Sequence, residues 1–256
     1  MSIQHAPGSG YYSVEPAYSE LLMKVGLPDA QSIFENPKIQ PWRSITERQN
    51  CVLDYDGGRL HIKRNQLGHK GVEKEIDGVR LLRLAGIKTV PVVAHGRLHD
   101  GRGFFISHDM TPFEDSEKLL AAGTPFEKIL EPTANLAALL HNKKLHHRDL
   151  YLCHFYTDLT SPMVNVALLD AGRVKKLPRF FSQRWIVKDL AQFIYSTTHF
   201  SSITEEQRNH WLQMYAGARG IRMSFRSSID AKMRKIALHD ARLARKDPTR
   251  NVAIDR

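Results

Sequence analysis

The sequence predicts an α+β chain in two parts, rich in strands up to about residue 110 and rich in helices after it. Three observations lead there. β-prone runs flank Asp56-Gly57-Gly58, a tight hairpin signal. A single helix-period segment, residues 72–85, separates that hairpin from two further short apolar runs. Beyond Met110 the apolar spacing turns helical almost throughout, interrupted by one strand pattern that ends on a carboxylate at Asp170. The expected divisions are an N-terminal arm over residues 1–40, a first lobe over 41–110 and a second lobe over 111–256 with a basic C-terminal helix.

Taken in order, residues 1–40 are rich in Gly, Pro and Ser, with one short apolar stretch, SELLMKVGL, and read as a loosely held arm. SITERQNCVLDY and RLHIKR are the two strands of the hairpin. In VEKEIDGVRLLRLA, Ile76, Val79 and Leu82 recur at helical spacing, and Gly86 is a natural stop. TVPVVAHG and GFFISHDM, bounded by Gly or Pro, read as strands. TPFE at 124–127 offers a Thr cap, Pro at the first helical position and Glu three after the cap. Pro132 is expected to break or kink that helix, with a second one starting near Thr133 and carrying the stripe Leu136, Leu139 and Leu140. VNVALLD is the strand ending on Asp170, and helices around VKDLAQFIYS, TEEQRNHWLQMYAG and SSIDAKMRKIALHDARLARK follow.

Composition limits the class. An apolar share of 42% and a charged share of 25% are those of an ordinary globular protein. No apolar run is long enough for a membrane span, and the N-terminus has neither a basic head nor an apolar core. Cys51 and Cys153 make no disulfide framework, so a cytoplasmic protein with reduced thiols is expected. The net charge of +10 points to an anionic partner: nucleic acid, an acidic lipid surface or a phosphorylated substrate.

The densest chemistry lies in HHRDLYLCH, residues 146–154. His146, His147, Cys153 and His154 are zinc-ligand types, but no second pair stands at CxxC or HxxxH spacing. Nothing marks a base beside Cys153 that would make it a nucleophile. Phosphoryl transfer uses more of the residues at once. It needs a carboxylate near the attacking hydroxyl, a second carboxylate for Mg²⁺, and a lysine on the nucleotide phosphates. Asp149, Asp170 and Lys63 supply them, with Glu75 as the helix acid that steadies the lysine.

The string HRDLYLCH resembles the protein-kinase catalytic loop HRDLxxxxN, with Asp149 as the base and His154 where that pattern has Asn. Lys63 looks like the β3 lysine of that family. Glu75 looks like its helix partner, chosen over Glu73 because it shares a face with Val79 and Leu82. Asp170 in LLDAGR stands where the DFG aspartate belongs. The resemblance implies a two-lobed protein-kinase-like fold, ATP and Mg²⁺. Departures narrow it: Tyr151 replaces the usual loop Lys or Arg, Ala171 replaces the DFG phenylalanine, and no APE motif follows, which argues against a polypeptide substrate.

HRDLYLCHF with KDLAQFIYS downstream resembles the lipopolysaccharide kinase family, and within it the core heptose kinases. That implies transfer of the γ-phosphate of ATP to a heptose hydroxyl of the lipopolysaccharide inner core, at the cytoplasmic face of the inner membrane. A Kdo or other small hydroxyl acceptor is the alternative, and a non-catalytic basic scaffold a remoter one; nucleic acid is not the expected partner. By the same resemblance Asp170 holds Mg²⁺, His154 faces the metal directly or through water, and Asp189 pins the loop backbone with His147 and Arg148 architectural. Without a GxGxxG before Lys63, Thr46 and Arg48 are expected to cover the phosphates, and the adenine edge to meet backbone near His108 and Met110.

The segment 171–188 carries six Lys or Arg and no acid. Its Arg173, Lys175 and Lys176, with Tyr151, are expected to meet an acidic glycolipid. A second basic region, 219–250, has the apolar stripe Ile229, Met233 and Ile236. It would either lie on an anionic membrane, at about 1 kcal/mol per basic residue, or pack on the helical lobe.

Overall fold

A computed structural model describes residues 10–69 and 71–246, divided between two compact units. The first takes in the chain up to Arg80 together with Val90–Met110. In chain order it holds β1 (Tyr11–Val14), the short helices α1 (Ser19–Lys24) and α2 (Ser32–Glu35), and β2 (Gln40–Ser44). β3 (Arg48–Tyr55), β4 (Gly58–Asn65), the first turns of α3 (Gly71–Leu84), β5 (Val92–Arg97) and β6 (Gly103–His108) complete it. The strands form one six-stranded sheet in the order β1-β5-β6-β4-β3-β2, every pair antiparallel. The Asp56-Gly57 turn closes the β3–β4 hairpin at Tyr55↔Gly58, with Gly57 at φ +104° where a side chain would be strained.

Two expectations change here. The loose arm is not loose over its described part: Leu22, Leu27, Ile33 and Ile39 are all buried in the core with Leu53, Ile62 and Phe104. Residues 1–9 of that arm lie outside the described residues. Tyr12 donates its hydroxyl proton to the Leu27 carbonyl at 2.7 Å, and Arg64 Nη1 donates to the Ile33 carbonyl at 3.0 Å. The Gly and Pro content hid four apolar anchors spaced too widely to show a period. β1 docks because β5 carries Gly96: a Cβ there would meet the Tyr11 carbonyl oxygen at 2.3 Å. Secondly, SITERQNCVLDY is not one strand. Ile45–Arg48 is a tight turn closed by Ile45 N–H to Arg48 O at 2.9 Å, and β2 precedes it.

The second unit comprises Leu81–Thr89 and the chain from Thr111 onward. It contains β7 (Glu114–Asp115), α4 (Ser116–Ala121), α5 (Glu127–Asn142), β8 (Leu145–His146), β9 (Phe155–Asp158), β10 (Asn165–Leu168) and β11 (Lys175–Lys176). The helices α6 (Gln183–Thr197), α7 (Glu205–Arg219) and α8 (Arg226–Lys246) close it. α5 runs through Pro132 without a break, so the second helix expected to start near Thr133 is instead its continuation. The proline removes only the N–H that Lys128 O would have accepted, and Lys128 is exposed, so water can serve it. The helix around it is held by Ile129, Ala134, Leu136 and Leu140, all buried, and by Trp211 of α7, whose indole N–H donates to Thr133 Oγ1 at 2.9 Å. α7 begins with a full capping box, Thr204 and Gln207, and ends on Gly220 at φ +63°.

α8 lies against α6 with Ile229 and Ile236 buried. The apolar stripe is therefore spent inside this unit, the second of its two expected uses. Residues 247–250 of the basic region are outside the described residues.

Candidate active site

In the first unit, Lys63 of β4 reaches α3. Its Nζ lies 3.0 Å from Glu75 Oε2, an ion pair on a carboxylate that is almost wholly buried. Glu75 falls inward because it shares a helix face with Val72, Val79 and Leu82, all buried. Glu73 is occupied otherwise, accepting from Asn65 Nδ2 at 3.1 Å, while Asn65 Oδ1 takes the Val72 N–H at the start of α3. Asn65 is thus a positioning residue that sequence reasoning missed. Thr46 is exposed in the tight turn, but the Arg48 N–H is engaged within it. The His108 and Asp109 N–H groups are also taken, by Pro91 O and Arg59 O. The His108 ring donates from Nδ1 to Asp109 O and accepts from Tyr55 Oη at 2.6 Å. The His108 ring and N–H therefore serve the fold, which leaves the His108 carbonyl and the Met110 backbone as the groups that could meet an adenine edge.

In the second unit, the loop after β8 hangs on one face of α6. Asp189 accepts from the N–H groups of His147 at 2.7 Å and Arg148 at 2.8 Å. Gln192 accepts from Leu150 N–H at 3.2 Å, and Ser196 from Leu152 N–H at 3.0 Å. These three α6 residues stand at i, i+3 and i+7, so one polar stripe satisfies four amides of a loop with no ladder of its own. Arg148 sits at φ +68°, a left-handed position that turns its N–H inward to Asp189. The fully buried His147 donates from Nε2 to Leu169 O at 2.9 Å and so ties the loop to the residue before Asp170. Burial pushes its pKa down, so it stays neutral.

Asp149, His154 and Asp170 converge: one ligand atom from each lies within 4.8 Å of the others. His154 donates from Nδ1 to the Asp149 carbonyl at 2.6 Å, which leaves Nε2 facing Asp170 Oδ2 at 3.5 Å. In the neutral tautomer that is a lone pair against a carboxylate, an arrangement relieved by a cation between them. Asp170 reaches this position at φ +52°, which an aspartate tolerates better than most residues. A divalent ion fits between Asp170 and His154, with Mg²⁺ preferring the Asp170 oxygens to the imidazole. Asp149 also accepts from Gln192 Nε2 at 3.3 Å and lies 3.5 Å from Arg173 Nη1. Lys175 and Lys176 are exposed on β11, paired with β8. The set can orient a hydroxyl, hold a metal and offer positive charge at one spot.

The profile of the Lipopolysaccharide kinase (Kdo/WaaP) family matches residues 42–215. The chain belongs to this family. It is 24% identical over 204 residues to the lipopolysaccharide core heptose(I) kinase WaaP of Pseudomonas aeruginosa, spanning 68% of this chain and 75% of that protein. Two Escherichia coli proteins of the same name are also 24% identical, and the matches span 61% and 60% of their lengths, less than two thirds. Among solved structures, WaaP in complex with acyl carrier protein is similar at a TM-score of 0.68 and 22% identity, over 90% of this chain and 98% of that one. An aminoglycoside-3'-phosphotransferase of type VIII is similar at 0.56 and 16% identity, over 77% and 93%. The fold is the two-lobed, protein-kinase-like α+β fold. As a member of a kinase family the protein is an ATP-dependent phosphotransferase.

In this family member Cys153 is no nucleophile, since burial and then the charge of Glu117 push its thiol far up. Glu117 of α4 is itself raised to about 7, first by burial and then by the Asp115 charge. The folded protein therefore keeps a proton that the unfolded chain releases above ordinary carboxylate values. Stability should fall as pH climbs from about 4.5 to 7, by up to about 3 kcal/mol. Glu117→Gln is expected to flatten that slope, read as urea midpoints at pH 5 and pH 8.

Proposed function

We propose that the protein transfers the γ-phosphate of ATP to a heptose hydroxyl of the lipopolysaccharide inner core, with Mg²⁺ as the metal. The observation that carries this is the convergence of Asp149, His154 and Asp170 on a loop held by α6, in a chain of this family. Asp149 orients the sugar hydroxyl and takes its proton as the bond to phosphorus forms. Arg173, 3.5 Å from Asp149, supplies the positive charge that protein kinases place on the loop, where this chain has Tyr151. Asp170 and His154 would hold the metal, which neutralises phosphate charge when bound. Lys63, steadied by Glu75, anchors nucleotide phosphates. The acceptor is met at the cytoplasmic face of the inner membrane, with Arg173, Lys175 and Lys176 facing its acidic groups. No helix among the described residues is long and apolar enough to cross a membrane.

The test is incubation with ATP and lipopolysaccharide lacking inner-core phosphate, read by mass spectrometry. The expected result is a gain of one phosphate on heptose, abolished when the divalent metal is chelated. Transfer confined to Kdo or to an aminoglycoside would overturn the heptose assignment.

A further inference from the structure

Between α6 and α8 lies a cavity of about 700 Å³. Its lining includes Arg184 and Lys188 from α6 and Lys232 and Lys235 from α8, with Trp185 as the aromatic wall and no carboxylate. The volume is that of a typical small-ligand site, large enough for a sugar residue or two. Ser228 and Ala231 keep the α8 side of it open. The cations are arranged rather than scattered. The guanidinium groups of Arg184 and Arg148 lie 4.9 and 4.8 Å over the Trp185 ring, which holds both in place.

Lys188 donates to the Arg148 carbonyl oxygen, so the inner end of the cavity touches the residue beside Asp149. Half-buried, Lys188 has its pKa lowered by burial and then by the neighbouring charge of Arg173. None of the four lining cations makes an ion pair with a carboxylate among the described residues. Cations gathered in a concave site with no carboxylate in its lining carry an electrostatic cost, which a bound anion relieves.

We propose that this cavity is an anion subsite that binds a phosphate- or carboxylate-bearing sugar of the acceptor, next to the sugar presented to Asp149. The subsite rests on the acceptor reading above and deepens it: the enzyme recognises an acceptor that is already negatively charged. Trp185 offers ring surface for the sugar, and Arg184 and Lys188 meet its charge from one helix while Lys232 and Lys235 meet it from the other. The basic character of α8 is thereby used on a ligand rather than on a lipid surface.

Two probes test it on the full chain: deacylated core oligosaccharide with its phosphates and carboxylates intact, and the same oligosaccharide after dephosphorylation and carboxyl reduction. Calorimetric binding of the intact form should weaken about 10-fold to 100-fold in Lys232→Gln/Lys235→Gln. The ratio of kcat/KM for intact over neutralised acceptor should fall in parallel. Ser228→Glu, which places a carboxylate among the cations, should lower the same ratio, and both variants should melt as the parent does. Equal binding of the two oligosaccharides by the parent protein, or an unchanged ratio in both variants, would overturn the subsite. Charge-dependent binding that the variants lose, without any phosphate transfer to the oligosaccharide, would sustain the subsite and sink the heptose acceptor.

Discussion

Asp149→Asn is expected to lower kcat by about 10²–10⁴-fold, the usual worth of a positioned general base, with KM for ATP unchanged. Asparagine keeps the shape of the side chain, and its carbonyl can still accept from Gln192 Nε2, now 3.3 Å from Asp149 Oδ1. What goes is the negative charge that takes the hydroxyl proton and faces Arg173 at 3.5 Å. Because Asp149 also stands in the cluster with His154 and Asp170, the Mg²⁺ dependence separates two roles. The half-saturating Mg²⁺ concentration should stay put in Asp149→Asn and rise in Asp170→Asn. Full kcat in Asp149→Asn would end its assignment as the base.

Much of the fold could be read from local signals, because each needed only near neighbours. The β3–β4 hairpin, α3 and its Gly86 stop, and the three late helices all follow from turn chemistry and apolar spacing. What escaped was set by tertiary contact. Leu22, Leu27, Ile33 and Ile39 have no shared period, yet each fills the same core. Pro132 is a helix breaker by propensity, and buried packing around it keeps α5 whole. The site divides the same way. Lys63, Glu75, Asp149 and Asp170 could be placed because their order along the chain carries a pattern. His108 and Arg48 were placed by position alone, and backbone bonds that no sequence displays engage their N–H groups, leaving the Arg48 side chain and the His108 carbonyl for a ligand. Gln192 and Ser196 did leave a signal, the i, i+3, i+7 spacing from Asp189, visible once α6 is known to face a loop.

That face of α6 carries the larger stability prediction. Asp189→Ala should destabilise the protein by about 3–5 kcal/mol, the cost of breaking a buried charged network from one side. The N–H groups of His147 and Arg148 and the His141 ring all lose their acceptor at once. The protons along this network can be assigned. Arg219 donates to the Tyr215 hydroxyl oxygen at 2.9 Å, so that hydroxyl donates to His141 Nδ1 at 2.7 Å, and His141 Nε2–H points to Asp189. Burial alone would raise the Asp189 pKa, but the His141 ring N–H and the His147 N–H hold it below the ordinary carboxylate value. An acid depressed in the folded state stabilises above the unfolded pKa and loses that contribution as pH falls. The parent should therefore weaken below about pH 4, and Asp189→Ala should show a shallower acid limb. Asp189→Asn retains one acceptor but sets its NH₂ against the other backbone N–H, so it should melt between the two and lose kcat more than KM. Melts that place Asp189→Ala within 1 kcal/mol of the parent, a margin set by ordinary surface substitutions at about ±0.5 kcal/mol, would show that the loop is held by something other than α6.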